Sequence, residues 1–281
     1  MMRLRFMSTN QWACDSNKSA WEEKGLDCSC DARMPGFLKY YLETKPDVLG
    51  LQEVTDKMAD KLMQLFSEQE LPYALLWGRR TPILYRTDLF ELVDSTFLIY
   101  PEEILGYEGR FNNSKTKSYN AAVFRVKQSG KLFALMTTHL WWKSSDPASK
   151  SYQPFSDEAR MHQIGLAIDC LDQYQQKYQC PAVLMGDMNA IYASLAVQHA
   201  LSRGFSHAYD VAVEHRDEGN GHHYCFPDGY LPYTPSAADE AIDHILVRDF
   251  EQDAVRTYDR YAPDYYMPLS DHIPVWIDVE I

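Results

Sequence analysis

Ten apolar runs of strand length alternate with three helical patterns along this chain, and this alternation constrains the fold more than any other feature. The runs are rich in β-branched and aromatic residues, which favour strands. They are LRFMST, DVLGLQEV, YALLWG, PILYR, LVDSTFLIY, NAAVFRV, LFALMTTHL, AVLMGD, AIDHILV and PVWIDVEI. The helical patterns are PGFLKYYLET, DKMADKLMQLFSEQE and SDEARMHQIGLAIDCLDQYQQKY. Strands interspersed with helices in this way are typical of a layered α/β domain.

The pattern changes little from one end of the chain to the other, with no internal repeat and no low-complexity linker. We therefore predict a single domain over residues 1–281. Two long polar segments, Gln11–Met34 and His215–Ala238, interrupt the succession of strands and helices. Because loops of that length are uncommon inside compact domains, we expect these two to be functional or mobile.

The composition is that of an ordinary globular protein, with 46% hydrophobic and 24% charged residues, which excludes disordered and collagen-like classes. The sequence predicts no transmembrane helix, because it contains no apolar run of about 18 residues. The first ten residues, MMRLRFMSTN, lack the apolar core of a secretory signal, so we expect a cytoplasmic protein whose six cysteines are reduced thiols. Cys14, Cys28 and Cys30 match none of the usual zinc-ligand spacings.

The charge is strongly acidic overall but unevenly spread. Net charge is −13, from 40 acidic and 27 basic residues, and such a surface repels a polyanion unless positive charge is gathered locally. The segment Arg110–Lys150, called here the basic window, contains eight of the basic residues and a single acidic residue, Asp146. Two interpretations stay open: these side chains solvate the outer faces of two strands, or they serve a nuclease.

Several polar residues fall where predicted strands end. They are Asn10 after LRFMST, Glu53 in LQEV, His139 in TTHL, and Asp187 and Asn189 in GDMN. Each has an ordinary explanation alone, such as a turn, a helix cap or a hydrogen-bonded core histidine. Together they would meet at the carboxyl ends of the strands, where α/β sheets bind ligands. Burying carboxylates there costs several kcal/mol unless a cation or a hydrogen-bond network compensates.

A second pair of motifs lies near the end of the chain. AIDHILV places Asp243 in a strand, and LSDHIPV places Asp271 and His272 in the turn before the last strand. A carboxylate bonded to one imidazole nitrogen fixes the ring and favours its charged form, which suits a general base or the stabilisation of a pentacovalent phosphorane. We therefore predict that Asp243 orients His272. Together with the preceding motifs, this pattern indicates metal-assisted hydrolysis of a phosphoester.

These residues resemble the exonuclease/endonuclease/phosphatase superfamily, the DNase-I-like hydrolases. Five motifs stand in the family's order across nearly the whole chain: the Asn of MSTN, LQEV, TTHL, GDMN, and IDHIL with SDHIPV. GD-x-N followed by SDH is a specific signal of the family, whereas LQEV alone would be a weak one. The WWK segment after TTHL, and Arg160 with Gln163 in the following helix, also resemble the family. The resemblance implies a four-layer α/β sandwich, in which two mixed β-sheets pack face to face and are flanked by helices.

The resemblance also implies a divalent cation at the rim of the sheets. Asn10, Glu53 and Asp271 would be its ligands, and hard oxygen ligands of this kind suit Mg²⁺ or Mn²⁺, whereas zinc would require more cysteine or histidine.

By the family pattern, Asp187 would position or deprotonate the attacking water, and Asn189 would hold that water or the phosphate. His139 would donate to a non-bridging oxygen. Whether Asp187 or His272 takes the proton stays open.

The chain departs from the family on the strand before TTHL, where many relatives carry an arginine for the phosphate. Here the sequence reads SKTKSYNAAVF, so Lys117 or Asn120 would substitute, although a lysine lacks the bidentate fork of arginine. Trp142 and Lys143 complete the predicted substrate-binding residues. Trp141 and Trp142 either stack on a base or sugar of the substrate or belong to a packed aromatic corner.

Three functions from different classes follow. The favoured one is a metal-dependent phosphodiesterase or phosphatase acting on a small or lipid-linked phosphoester, because the constellation is intact and the chain is acidic. An endo- or exonuclease acting on DNA or RNA would rely on the basic window, although the acidic charge disfavours nucleic acid. A non-catalytic binding module is weakened because every mapped position keeps its functional group. We infer no protein partner.

The segment GNGHHYCFPDGY brings His222, His223 and Cys225 close together in sequence. Adjacent histidines point in different directions on most backbones, so we interpret the segment as a surface loop and not as a metal site. In the family this region often reaches the substrate, which implies a role in specificity.

Overall fold

The computed structural model describes residues 2–14, 18–23, 25–216, 240–266 and 268–281. Its elements are β1 (Arg3–Asn10), α1 (Lys18–Glu23), α2 (Cys30–Thr44), β2 (Val48–Gln52), α3 (Asp56–Glu68), β3 (Tyr73–Leu76), β4 (Ile83–Arg86), β5 (Phe90–Ile99), β6 (Ser118–Val126), β7 (Leu132–His139), α4 (Ser156–Tyr178), β8 (Ala182–Asp187), α5 (Leu195–Ser202), β9 (Ser206–His207), α6 (Ala208–Val211), β10 (Glu214–His215), β11 (Asp243–Arg248), β12 (Val255–Arg260), a 3₁₀ turn (Asp264–Tyr266) and β13 (Val275–Glu280). All ten predicted strands and all three predicted helices are present among them.

The strands form two mixed sheets. In the described residues, sheet A has the order β10-β12-β13-β1-β2-β4-β3 and sheet B has the order β5-β6-β7-β8-β11-β9. In sheet A, β1 runs parallel to β2 and antiparallel to β13. In sheet B, β8 runs parallel to β7 and antiparallel to β11.

The central strands are buried on both faces, which explains their nearly continuous apolar runs. Side chains alternate between the two faces: Phe6, Leu135 and Val183 belong to the core between the sheets. Their neighbours Met7, Met136 and Leu184 pack outward, Met7 against α2 and α3, and the other two against α4 and α5. Two sheets face to face with helices outside confirm the four-layer sandwich.

The segment Gln11–Met34, predicted to be a polar interruption, contains α1 and the first turn of α2. The predicted helical pattern PGFLKYYLET began at Pro35. The helix begins at Cys30 instead, because Ser29 caps it and its Oγ accepts from Ala32 N at 3.2 Å. Most of His215–Ala238 lies outside the described residues.

Strand β12 was not predicted, because its sequence VRTYDR has no apolar run. No described helix has both the length and the apolar content needed to cross a bilayer. The cytoplasmic location and the single domain stay predictions.

The register of the strands brings their functional ends to one edge. In sheet A, Asn10 pairs with Gln52, the residue before Glu53. In sheet B, Asp187 lies between His139 on one side and Asp243 on the other. Because the two sheets face each other, these ends form opposite sides of one cleft.

Candidate active site

A cavity of about 470 Å³ lies where these strand ends meet. Eight of the twelve predicted site residues line it: Glu53, Lys117, His139, Trp142, Asp187, Asn189, Asp271 and His272. Asn10 and Asp243 lie directly behind this lining and bond to it, whereas Asn120 and Lys143 do not line the cavity.

Asp187 is the centre of the hydrogen-bond network. Its Oδ2 accepts from Asn10 Nδ2 at 2.9 Å and lies 3.2 Å from His139 Nε2 and 3.9 Å from His272 Nε2. Its Oδ1 accepts from the backbone N–H of Asn189 at 2.9 Å. Burial acts to raise the pKa of Asp187, but the charges of both histidines outweigh it and hold that pKa well below its usual range. The carboxylate is therefore ionised at neutral pH.

Local backbone geometry explains the glycine before Asp187. Gly186 has φ +146°, and a Cβ at this position would lie 2.0 Å from the carbonyl oxygen of Thr138 on the neighbouring strand β7. Only glycine permits this approach of β7 to β8. The GD pair is thus a packing requirement as well as a chemical one.

Glu53 directly follows β2 and has φ +59°, which ends the strand. Its Oε1 is 3.4 Å from Asn10 Nδ2, and its Oε2 accepts from Ala13 N at 3.3 Å. Burial acts to raise the pKa of Glu53, but the neighbouring charges of His139 and Lys117 outweigh it and lower the pKa. Glu53 therefore presents a second ionised carboxylate to the cavity.

Asn10 was predicted as a metal ligand, but the structure places it behind the cavity wall. Its Nδ2 donates to the carboxylates of Asp187 and Glu53, and its Oδ1 accepts from Trp12 N at 2.9 Å. The Asn10 amide thus orients the two carboxylates in this structure, and its role as a metal ligand stays a prediction.

His272 and Asp243 form a buried pair, with Nδ1 2.7 Å from Oδ2. Burial acts to lower the pKa of His272, but the carboxylates of Asp243 and Asp187 outweigh it and raise the pKa well above its usual value. The turn is fixed by Ser270, whose Oγ donates to Asn10 O at 2.7 Å and accepts from His272 N at 3.1 Å. Ser270 belongs to the SDH motif, but the sequence did not indicate its role in fixing this turn, which only the tertiary structure shows.

Lys117 and His139 meet across the cavity wall, with Nζ in hydrogen-bond contact with Nε2. Burial lowers the pKa of Lys117 to about 8, although Glu53 and Asp187 act in the opposite direction. The Nδ1 atom of His139 is buried and has no hydrogen-bond partner in the described part of the chain. Lys117 therefore brings a cation to the position where the resemblance implies an arginine.

Asn189 and Asp271 complete the polar lining. Asn189 has φ +48°, and its Nδ2 donates to Leu140 O at 3.1 Å, so the predicted turn and the predicted site residue coincide. Asp271 Oδ1 lies 3.8 Å from His272 Nε2 and makes no hydrogen bond with the described residues. Burial raises the pKa of Asp271 to about 6.

Trp141 and Trp142 have different environments, one in a packed aromatic corner and the other in the cavity wall. Trp141 is buried and packs edge-on against Phe111, with ring centroids 6.3 Å apart, as an aromatic corner. Trp142 is 51% exposed and lines the cavity. Lys143 Nζ lies 5.9 Å from the Trp142 ring, outside the cavity lining.

Asn120, the alternative to Lys117, is buried away from the cavity. Its Nδ2 donates to Leu76 O at 3.0 Å, beneath the turn between β3 and β4. The structure thus brings Lys117 to the site and not Asn120. It also adds Arg80, Thr116 and Trp12 to the lining. The adjacent arginines in WGRRTP were the only sequence signal for Arg80.

The cysteines near the amino terminus form a separate cluster. Cys14 Sγ and Cys30 Sγ lie 2.9 Å apart, and Arg33 Nη1 is 3.6 Å from Cys14 Sγ. Burial raises the pKa of Cys14 to about 12, which keeps this thiol protonated and weakly nucleophilic. His222, His223 and Cys225 lie outside the described residues.

Two groups of side chains in the described residues have ligand atoms close enough to share a metal ion. Glu53, His139 and Asp187 form one, and Asp187, Asp243 and His272 form the other; within each group all ligand atoms lie within 4.8 Å of one another. The first group lines the cavity, and Asp271 adds an unpartnered carboxylate oxygen nearby. This oxygen-rich set fits a hard divalent cation.

Comparison with known proteins finds solved structures of the same fold. The chain resembles an endonuclease/exonuclease/phosphatase from Bacteroides vulgatus, with 21% identity over 100% of both chains and a TM-score of 0.75. A mannosyl-6-phosphatase from Bacteroides thetaiotaomicron shares 19% identity over 99% of this chain and 100% of its own, with a TM-score of 0.71. The human Nocturnin catalytic domain with bound sulfate shares 22% sequence identity over 99% of this chain and 93% of its own, with a TM-score of 0.65. No curated protein matches the chain.

These likenesses establish the fold, and a family model covers the motifs themselves. Residues 28–272 match the model of the endonuclease/exonuclease/phosphatase family, a stretch that contains Glu53, His139, Asp187 and the Asp243–His272 pair. The matched length exceeds half of the 281 residues. The chain therefore belongs to the endonuclease/exonuclease/phosphatase family of phosphoester hydrolases.

Proposed function

We propose that this protein is a divalent-metal-dependent hydrolase that cleaves a phosphoester bond of a small substrate. One observation carries the proposal: Glu53, His139 and Asp187 have ligand atoms within 4.8 Å of one another in a cavity that also holds His272. The cavity brings together two ionised carboxylates, two imidazoles and a lysine. Burying so many ionisable groups side by side costs free energy of folding, which argues for a catalytic role and against a purely structural one.

The carboxylates of Glu53 and Asp271 would hold Mg²⁺ or Mn²⁺. When bound, such a cation supplies Lewis-acid stabilisation of charge on the phosphoryl oxygens. Asn10 keeps the Glu53 and Asp187 carboxylates in place through its amide donor, as an outer-shell partner of a metal site does.

The other residues act on water and on the phosphate. Asp187, ionised and held at both oxygens, would orient the attacking water, and Asn189 would support that water or the phosphate. Lys117 and His139 would donate to non-bridging phosphoryl oxygens. His272, with its pKa raised by Asp243, is the positively charged partner and would stabilise the charge that develops in the transition state.

A small substrate is supported by the distribution of positive charge. Among the eight basic residues of the basic window, Lys117 alone lines the cavity. Arg125 is paired with Glu91 at 3.1 Å, and Lys127 Nζ donates to Thr87 O at 2.7 Å. Arg125 and Lys127 lie at the end of β6 that is opposite Lys117, so they add no positive charge to the cavity.

Among the similar structures, the mannosyl-6-phosphatase acts on a phosphorylated sugar, as its name states, whereas D. rerio TDP2 is complexed with a single-stranded DNA product. We place this chain with the small-substrate members because of its net charge of −13 and the dispersed basic window. The intact set of carboxylates and histidines argues against a non-catalytic binding module.

The first test measures hydrolysis of p-nitrophenyl phosphate and bis-p-nitrophenyl phosphate with Mg²⁺, with Mn²⁺ and with EDTA. We expect metal-dependent turnover that falls at least about 100-fold in Asp187→Asn and in His272→Asn. Glu91→Gln and His162→Asn, which change exposed residues of the same chemistry, should keep full activity. Turnover that persists in EDTA, or in Asp187→Asn, would contradict the proposal.

Metal binding is tested separately from turnover. Titration with Mn²⁺, followed by electron paramagnetic resonance, should give one tight site in the wild type and an affinity at least about tenfold weaker in Glu53→Gln. Unchanged Mn²⁺ affinity in that variant would remove Glu53 from the metal site.

A further inference from the structure

A second cavity of about 700 Å³ adjoins the catalytic one, and the two share Arg80 and Thr116 in their walls. A ligand whose phosphoryl group lies beside Lys117 reaches the second cavity by passing Thr116, the adjacent residue. Arg80 therefore stands at the junction of two compartments, in a position to contact the part of the substrate that is not being cleaved.

The second cavity has more basic than acidic side chains in its wall. It contains three cationic side chains, from Lys57, Arg79 and Arg80, against two carboxylates, from Asp27 and Asp56, in a chain whose net charge is −13. Hydroxyl groups of Ser29, Thr55, Ser114 and Thr116 make up much of the remaining wall. The excess of basic side chains and the hydroxyl groups suit a negatively charged group with hydrogen-bond acceptors.

The turn that carries Arg80 is anchored to the strand that follows Lys117. Thr81 Oγ1 bonds to Ser118 Oγ at 2.8 Å and donates to Gly78 O at 3.0 Å, and Asn120 Nδ2 donates to Leu76 O at 3.0 Å. The turn packs closely against β6, because a Cβ on Gly78 would lie 2.3 Å from Asn120 Nδ2. These contacts fix the backbone of the turn that carries Arg80 relative to the strand that follows Lys117.

We propose that Arg80 binds a second phosphate group of the substrate, so that the preferred substrates are small bisphosphorylated molecules. The planar guanidinium donates to two oxygens of one phosphate at once. The Thr116 hydroxyl, which bonds to Ser114 Oγ at 2.7 Å, lines the same two cavities. Asn120 is a positioning residue for the Arg80 turn, which gives it a role different from the predicted one.

This proposal rests on the proposed phosphoester hydrolysis, and the experiment separates the two. We would compare kcat/KM for glucose 1,6-bisphosphate with glucose 6-phosphate, and for adenosine 3′,5′-bisphosphate with adenosine 5′-monophosphate, in the wild type and in Arg80→Gln. Arg125→Gln, which neutralises an exposed arginine at the far end of β6, is the matched control.

The wild type should prefer the bisphosphate of at least one pair by about 10- to 100-fold, the value expected of a charged hydrogen bond. Arg80→Gln should lose this preference because KM rises more for the bisphosphate than for the monophosphate or for p-nitrophenyl phosphate; Arg125→Gln should behave like the wild type. No preference in the wild type, or a preference that survives in Arg80→Gln, would overturn the proposal. Failure of the hydrolase assignment itself would appear as no metal-dependent turnover of any substrate.

Asn120→Ala tests the positioning role. It should raise KM for the bisphosphate and leave KM for the monophosphate unchanged, whereas a merely structural role would change both equally or lower only the thermal stability.

Discussion

Asp243 Oδ2 lies 2.7 Å from His272 Nδ1, although 29 positions separate the two residues in the chain. The pair joins the first residue of β11 to the turn before β13, and thus connects sheet B with sheet A. Since His272 Nε2 is 3.9 Å from Asp187, one imidazole lies between two carboxylates. This arrangement raises the pKa of His272 and fixes which ring nitrogen faces the cavity.

Asp243→Asn should lower the pKa of His272 by at least about one unit, because the amide removes the main charge that stabilises the imidazolium. NMR titration of the histidine ring nitrogens in the metal-free protein measures this shift. A folded pKa above the unfolded value of about 6.5 contributes stability below that pH and loses it as the pH rises through the folded pKa. The wild type should therefore lose more stability than Asp243→Asn between neutral and alkaline pH. An unchanged His272 titration in the variant would refute the assignment.

Gly186→Ala should prevent stable folding, because its Cβ would lie 2.0 Å from Thr138 O and its φ is +146°. Gly165→Ala is the matched control: this glycine lies within α4, and the nearest atom to its added Cβ is His199 Nε2 at 3.7 Å. That variant should be stabilised by up to about 1 kcal/mol through helix propensity. Urea denaturation followed by circular dichroism compares the two, and equal stabilities would contradict the packing argument.

Arg33→Met should lower the free energy of unfolding by about 2–5 kcal/mol, because it removes buried donors from two backbone carbonyls. Arg33 is 1% exposed; its Nε donates to Leu269 O at 2.9 Å and its Nη2 to Gln11 O at 2.5 Å. These carbonyls flank Asp271 and Asn10, so activity should fall as well. Arg203→Met, at a partly exposed arginine with two acidic partners, should cost less than about 1 kcal/mol. Equal losses of stability in chemical denaturation would count against the role of Arg33.

Lys117→Met should reduce kcat/KM for p-nitrophenyl phosphate by about 100- to 1000-fold, since it removes a buried cation beside the phosphoryl position. Steady-state kinetics at saturating metal measures the effect. Lys115→Met, two positions away and exposed, is the control and should retain wild-type kinetics. A small effect in Lys117→Met would show that His139 and the metal ion suffice for the phosphate.

Most of the fold could be predicted from the sequence, because strands buried on both faces read as apolar runs whatever their neighbours are. The exceptions are instructive. Strand β12 has the sequence VRTYDR, and Thr257, Asp259 and Arg260 in it are buried by tertiary contacts that periodicity does not show. The start of α2 was placed at Pro35, although the Ser29 cap and the burial of Met34 extend the helix upstream.

The residues of the candidate site were also predictable only in part. Asp187, His139 and Glu53 were predicted from their places at strand ends, and the strand register brings them together. The choice between Lys117 and Asn120 was not predictable, because it depends on how the turn before β4 packs on β6. The orientation of the Asn10 amide was equally hidden, since it is set by Trp12 N and two carboxylates.

The sequence by itself determined the types of chemical group and the elements that carry them, because propensity, burial pattern and motif order are local properties. The tertiary structure alone decided which groups share the cavity, which stand behind it, and that Arg80 joins it from a distant turn. The physical reason is range: hydrogen bonds and charge interactions act over a few ångströms, and only the packing of two sheets brings residues 10, 53, 139, 187 and 272 within that distance.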